Sequence, residues 1–325
     1  MSGSHGIPAG DMAKAASSIV SAGRVALACH LSPDGDALGS MLALHHVLVS
    51  AGREAVASFA GPQVIGAHYR ELPGLDRLTD PSLFPPEPEV MVTLDCGSVD
   101  RLGSLGEPAR RARELIVVDH HVSNTRFGSI NLVDHSAAAS AVVVERLVRT
   151  MDLPLTADAA VCLYAGLVCD TGRFQYESTT TEAFDLARRL LAFDVPVARL
   201  NRTLFEEHRY AYLQLVAEVL SRAVLVPTKR FIWASTSRND LDFYGVTFEE
   251  TEGLIDVIRQ AREAEVSCVL KEAPDGVLRV SLRSTGSVDV SVIASKHGGG
   301  GHRFAAGFTT GESVDVVVER ILADL

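Results

Sequence analysis

Residues 25–40 read VALACHLSPDGDALGS, from Val25 through Cys29, His30, Pro33, Asp34, Gly35, Asp36 and Gly39 to Ser40. The first five are a continuous apolar run, as a strand covered on both faces should be. A short polar turn follows. Helical spacing then runs over Leu38–Ala51 and stops at Gly52. The pattern recurs downstream. Glu54 to Phe59 reads as a second strand, and Val90–Leu94 (VMVTL) and Leu115–Val118 (LIVV) as buried strands. The helical stretch Pro108–Arg113 separates the last two, a proline-rich loop (84–88) precedes Val90, and Ile130–Val133 reads as a further strand. Strands alternating with helices predict an α/β fold with a doubly wound parallel sheet in the N-terminal part.

Helices are expected at Ser136–Met151, Thr156–Val168 and Thr180–Phe193. The composition shifts near Pro196, and Leu200–Ala223 reads as a helical connector. An α+β pattern follows, with a strand at Phe231–Ser235 and a helix at Thr247–Ala261. Val266–Lys271 and Val277–Arg283 form a hairpin around the turn Ala273-Pro274-Asp275-Gly276. A helix, a glycine-rich loop and a last helix, Val314–Leu322, close the chain. The expected organisation is a domain at 1–195, a connector at 196–222 and a smaller α+β domain at 223–325.

The 325 residues suit about two domains, and 47% apolar with 22% charged residues is ordinary globular composition. Lys and Arg number 30 against 41 Asp and Glu, a formal net charge of −11. That balance argues against sequence-blind binding of long DNA, which needs a basic stripe to displace counterions. The longest uncharged apolar run, Ala159–Cys169, is about half the ~20 residues of a membrane span. The N-terminus has no signal-peptide pattern. Five cysteines without a CxxC spacing read as reduced thiols of a cytoplasmic protein.

The polar residues fall at strand ends. His30, Asp34 and Asp36 follow the first strand, Asp95 follows VMVTL, and Asp119, His120 and His121 follow LIVV. In an open parallel sheet, ligands bind outside the carboxyl ends of the strands. Asp170 ends the Thr156–Val168 helix and opens a loop. So many carboxylates at one edge would repel strongly. Two divalent cations of the Mn²⁺ type, with hard oxygen ligands and a minority of nitrogen, remove that repulsion. Asp95, alone on the middle strand, suits a bridging carboxylate. His30 and Asp34 share one loop, which Pro33 keeps from being helical, and Asp36 can turn to the other metal.

Each piece has a plainer reading. An Asp after a strand usually caps a helix or forms a turn, and His45, His46, His68, His135 and His208 read as ordinary structural histidines. That reading fails for the set, because four separate segments carry metal-type residues to one edge.

The blocks His30-x-x-Pro33-Asp34-Gly35-Asp36-Ala-x-Gly39-Ser40, Asp95, Asp119-His120-His121 and Asp170-Thr-Gly-x-Phe174 resemble, in that order, the DHH phosphoesterase superfamily. The run Gly298-Gly299-Gly300-Gly301-His302-x-x-Ala305-Ala306-Gly307 resembles its DHHA1 substrate domain. Length and layout look like the subgroup of oligoribonucleases that also act on 3′-phosphoadenosine 5′-phosphate (pAp), which includes actinobacterial phosphodiesterases of cyclic di-AMP. The resemblance implies two Mn²⁺ ions, with Mg²⁺ or Co²⁺ as substitutes. One would be held by His30, Asp34 and Asp95, the other by Asp36, Asp95, His120 and Asp170. Asp119 would orient a ligand from behind, and His121 would face the substrate phosphate.

At the other end of the chain, glycines allow close approach of a phosphate or base to Gly299, Gly300 and Gly301. Arg283 and His302 can complement phosphate charge. Ser284, Arg101, Arg173 and Tyr176 carry weaker signals, and Arg303 reads as a surface residue. The chain is therefore expected to be a two-metal hydrolase. Its catalytic residues would be His121, Asp95 and Asp119. It would open cyclic di-AMP through pApA to AMP, cut short oligoribonucleotides and remove the 3′-phosphate of pAp. Its partners would be small nucleotides and a second copy in a homodimer, not long DNA or a membrane. The alternatives are an inorganic pyrophosphatase or single-strand exonuclease of the same superfamily, or a nucleotide sensor without turnover. The first has a different second domain, the second needs basic grooves, and the third would show an incomplete ligand set.

Overall fold

A computed structural model describes residues 6–325. The chain divides into two compact units, the first ending at Leu204 and the second running Phe205–Leu325. The expected connector 196–222 falls as two helices, one on each side of that division.

The first unit contains α1 (Ala9–Ser21), β1 (Arg24–Cys29), α2 (Gly35–Ser50), β2 (Glu54–Ser58), β3 (Val90–Leu94), α3 (Gly106–Arg111), β4 (Glu114–Asp119) and β5 (Ile130–Val133). Four helices complete it: α4 (Ser140–Thr150), α5 (Ala157–Asp170), α6 (Thr181–Leu190) and α7 (Val197–Phe205), whose last residue belongs to the second unit. The five strands are parallel throughout, in the order β2-β1-β3-β4-β5. The strand carrying Asp95 is thus the central one. All five residues of β3 are buried, as the apolar run VMVTL requires. Leu102, Leu105 and Ala109 cover one face together with Ala26, Ala28 and Met91. Helices α2 and α4 pack on the sheet, and α5 packs against α2 and α4.

Of the boundaries that differ from the reading above, two matter for the site. Helix α2 starts at Gly35, because the Asp34 carboxylate accepts the N–H groups of Asp36 and Ala37 and so caps it. Asp36 is therefore in the first helical turn, not on a loop. Helix α4 starts at Ser140 rather than Ser136, since Ser136 is used in a turn by the carboxylate of Asp134. Helix α1 carries no strong signal in the sequence and was not expected.

The second unit contains α8 (Tyr210–Ser221), β6 (Val224–Val226), β7 (Phe231–Thr236), α9 (Arg238–Tyr244), α10 (Leu254–Ile258), β8 (Val266–Glu272), β9 (Leu278–Ser284), α11 (Val290–Lys296), β10 (Gly300–His302), β11 (Ala305–Thr310) and α12 (Val314–Asp324). They build a six-stranded sheet in the order β10-β11-β9-β8-β7-β6, antiparallel except between β7 and β8. One face buries Phe231, Cys268, Leu282, Phe308 and Ile321. The other packs Ile232, Ala234 and Val269 against Leu215, Leu254 and Ile258. The β8–β9 hairpin is as expected. The single helix expected at Thr247–Ala261 is instead a 3-10 turn, Glu249–Gly253, leading into short α10. The glycine-rich loop is in part a strand, for Gly300–His302 pairs with β11. No helix among the described residues is long and apolar enough to cross a membrane.

Candidate metal centre

Neighbouring strands β1, β3 and β4 deliver the site residues side by side. His30 follows β1, Asp95 follows β3, and Asp119 closes β4 with His120 and His121 after it. Helix packing adds Asp36 and Asp170. A Cβ on Gly35 would lie 2.3 Å from the Cys169 Sγ, and one on Gly166 would lie 2.6 Å from an Asp36 carboxylate oxygen. Only glycine lets the start of α2 meet the end of α5 that closely, and that contact brings the two aspartates together.

His30 is 6% exposed. Its Nδ1 lies 2.8 Å from the Leu31 carbonyl oxygen and 3.0 Å from the Arg101 guanidinium. Its Nε2 faces Asp95 at 3.7 Å and Asp34 at 4.0 Å. His120 Nε2 lies 2.9 Å from Asp170, 3.7 Å from Asp95 and 4.0 Å from Asp36, while its Nδ1 lies 3.2 Å from the Ala137 carbonyl. This is the usual arrangement of a ligating imidazole, one nitrogen anchored and the other aimed at the centre.

Asp119 is fully buried and faces its neighbours rather than the centre. One carboxylate oxygen accepts the His120 N–H at 2.7 Å and lies 2.7 Å from His121 Nδ1. The other accepts the Asn124 amide at 2.5 Å. Asp119 thus fixes the His121 ring, which also stands 3.5 Å from Asp95.

The electrostatics divide the carboxyls. Burial, with the nearby Asp95 and Asp170 charges, pushes Asp36 well above the usual carboxylate range. Burial also raises Asp170, although His120 works against it. Burial would raise Asp95 too, but His121, His30 and His120 outweigh it and hold Asp95 far below its ordinary value. Burial opposes charge on His121, yet Asp95 and Asp119 bring its pKa to about 8. Three sets of donor atoms in this unit lie within 4.8 Å of one another: His30, Asp34 and Asp95; Asp36, His120 and Asp170; and Asp95, Asp119 and His121. Buried, mutually repelling carboxylates with a minority of imidazole nitrogens are a donor set that fits hard divalent cations. Asp95 lies between the two histidines, 3.7 Å from His30 Nε2 and 3.7 Å from His120 Nε2.

Sequence reasoning missed Ser140 and Asn124. The first backbone N–H groups of α4 serve Asp36, from Ser140 at 2.5 Å and Ala141 at 3.0 Å, and the Ser140 hydroxyl donates to Asp95 at 2.8 Å. A helix N-terminus therefore holds one carboxylate while its hydroxyl holds the other. The only trace in the sequence was a serine after three alanines.

In the second unit, Arg283, Ala305 and His302 stand in one register row across β9, β11 and β10. The strands thus bring Arg283 and His302 to one sheet face. Ser284 is buried and points the other way, its backbone N–H bonded to Phe304. A Cβ on Gly299 would meet the Gly307 carbonyl at 2.1 Å, and one on Gly301 the Ala305 carbonyl at 2.5 Å, so both are needed by the hairpin. Gly300 meets nothing within 4 Å. Arg303 is exposed, as expected of a surface residue. In the first unit, Arg173 is exposed too and, with Gly172 and Phe174, forms a run of left-handed residues after Asp170. Tyr176 packs over Gly172 in that turn.

The chain's similarities match this layout. Residues 24–167 match the DHH family N-terminal domain, and residues 240–324 match the DHHA1 domain. A bifunctional oligoribonuclease and PAP phosphatase, NrnA, from Thermus thermophilus is 33% identical over 92% of this chain and 88% of its own length. A cyclic-di-AMP phosphodiesterase, GdpP, from Geobacillus thermodenitrificans is 28% identical over 59% of this chain and 29% of that protein. The crystal structure of an exopolyphosphatase-related protein from Bacteroides fragilis shares the fold, with TM-score 0.87 and 23% identity over 98% of this chain and 97% of that one.

Proposed function

This chain belongs to the DHH family and carries its DHHA1 domain, and from that premise we propose that it is a two-metal phosphodiesterase of short adenine nucleotides. It cuts oligoribonucleotides of a few residues, removes the 3′-phosphate of pAp, and opens cyclic di-AMP through pApA to AMP. The oligoribonuclease and pAp activities are supported by the full-length likeness to NrnA, and the cyclic di-AMP activity by the partial likeness to GdpP. The observation that carries the reading is the meeting of His30, Asp36, Asp95, His120 and Asp170 at the carboxyl edge of one sheet.

His30, Asp34 and Asp95 would hold one cation, and Asp36, Asp95, His120 and Asp170 the other. Bound there, divalent ions supply Lewis acidity and a water of lowered pKa. The chain's own residues do the rest. Ser140 and the α4 N-terminus keep Asp36 and Asp95 in place. Asp119 fixes the His121 imidazole, which stabilises charge on the phosphoryl oxygens or gives a proton to the leaving 3′-oxygen. Arg283 and His302, with Gly300 leaving room beside them, engage the base or the second phosphate.

The test is manganese-dependent hydrolysis of pApA, cyclic di-AMP, pAp and pyrophosphate by the wild type and by Asp95→Ala. The nucleotides are expected to be cleaved by the wild type alone. Retention of manganese-dependent turnover in Asp95→Ala, or a preference for pyrophosphate, would overturn the proposal.

A further inference from the structure

The sheet of the second unit holds a charge that the site above does not use. Lys271, on β8, is 7% exposed. A buried ammonium ordinarily sits against a carboxylate or gives up its proton. Lys271 has no ion pair and no side-chain hydrogen bond among the described residues. Its Nζ lies 5.2 Å from the centre of the Phe248 ring. Burial lowers its pKa, Glu252 partly restores it, and Arg283 lowers it further.

Register places these groups on one face. Thr236 stands beside Lys271 across β7 and β8. Arg283 pairs with Ser267, four residues along β8 from Lys271, and strand alternation puts it on the same face. His302 lies on that face too, in the row Arg283, Ala305, His302. The Thr236 hydroxyl and the Arg283 Nε are buried without hydrogen-bond partners. Arg279, opposite Lys271, is already engaged by Asp275 and Thr309.

We propose that Lys271 and Arg283 together bind the non-reacting phosphate of a short nucleotide, Lys271 as a buried point charge and Arg283 as a planar fork. This rests on the function proposed above. Two cations on one face repel each other, the Glu252 charge offsets that only in part, and an anion between them turns the repulsion into attraction. The offset of four residues is about 13 Å along the strand, a span that two long side chains can close on one anion. Lys271 serves as a specificity residue, selecting substrates that carry a second phosphate.

The full-length protein with Lys271→Met or Lys271→Arg tests this. Calorimetric titration of pAp into metal-free protein reads binding. Hydrolysis of pApA and of bis(p-nitrophenyl) phosphate, which has no second phosphate, reads selectivity. Lys271→Met is expected to weaken pAp binding and raise KM for pApA, each by about tenfold, with the p-nitrophenyl ester unaffected. Lys271→Arg should recover part of the loss. Thermal melting should show Lys271→Met as stable as the wild type or more so, since an unpaired buried charge has been removed. A lowered Tm with equal losses on both esters would assign Lys271 to packing against Phe248 and overturn the proposal, as would pAp affinity unchanged within about twofold. If the wild type hydrolyses none of these esters, the proposed function falls, while the pAp titration still decides the anion site.

Discussion

Ser140 spans the two most consequential carboxylates of the site, its N–H on Asp36 and its hydroxyl on Asp95. Groups that orient metal ligands from behind typically affect metal affinity by about 10–100-fold. Ser140→Ala should therefore weaken manganese binding by about tenfold. The backbone N–H to Asp36 survives the substitution, so the fold should hold, and titration of manganese with thermal melting as control reads both. An unchanged affinity would mean that Asp95 is positioned by other contacts. Asp95 itself adopts φ 54, a left-handed conformation costly for a residue with a Cβ. Its backbone N–H donates to Val118 at 2.9 Å, which ties that turn to β4. Asp34 shows how the plain and the functional readings coexist. One of its oxygens caps α2, as aspartates after strands commonly do, and the other faces His30.

At the scale of elements, the α2–α5 contact decides whether Asp36 and Asp170 meet. Gly35→Ala would place a methyl 2.3 Å from the Cys169 Sγ, so one helix must shift. The expected cost is about 1–3 kcal/mol of stability. A larger loss of kcat should accompany it, because a shift near 1 Å misplaces both carboxylates. Gly300→Ala is the contrasting case. It meets nothing, so Tm should stay within about 1 °C while KM for pApA rises, since small surface changes usually leave stability alone. Denaturant melts and steady-state kinetics on both variants check this. Strand signals were legible because parallel, doubly covered strands are continuous apolar runs. The start of α4 was not, because Asp134 claims Ser136 for a turn that no periodicity reveals. Strand β10 was hidden for a related reason: glycines carry no side-chain pattern, and only pairing with β11 makes them a strand.

For the molecule as a whole, the net charge of −11 is expected to filter substrates by size. Each further phosphate of an oligonucleotide adds repulsion unless a basic track compensates it. Turnover should therefore fall steadily as RNA lengthens from about two to about thirty nucleotides, and added salt should narrow the difference by screening. End-labelled oligoribonucleotides of graded length measure it, and efficient cleavage of the long ones would refute the filter.

The sequence alone determined the parallel sheet, the split into an α/β and an α+β part, and which residues could form the site. Those follow from local apolar patterns and from side-chain chemistry at strand ends. Only the tertiary structure decided how the groups meet. Asp36 and Asp170 approach because glycines at two helix contacts permit it, and Ser140 reaches Asp95 because α4 begins where it does. Lys271 stands apart for the same reason. In the sequence it is one lysine near the end of an apolar strand. Its burial without an ion pair among the described residues is set by what packs around it, and packing between distant segments leaves no local pattern to read.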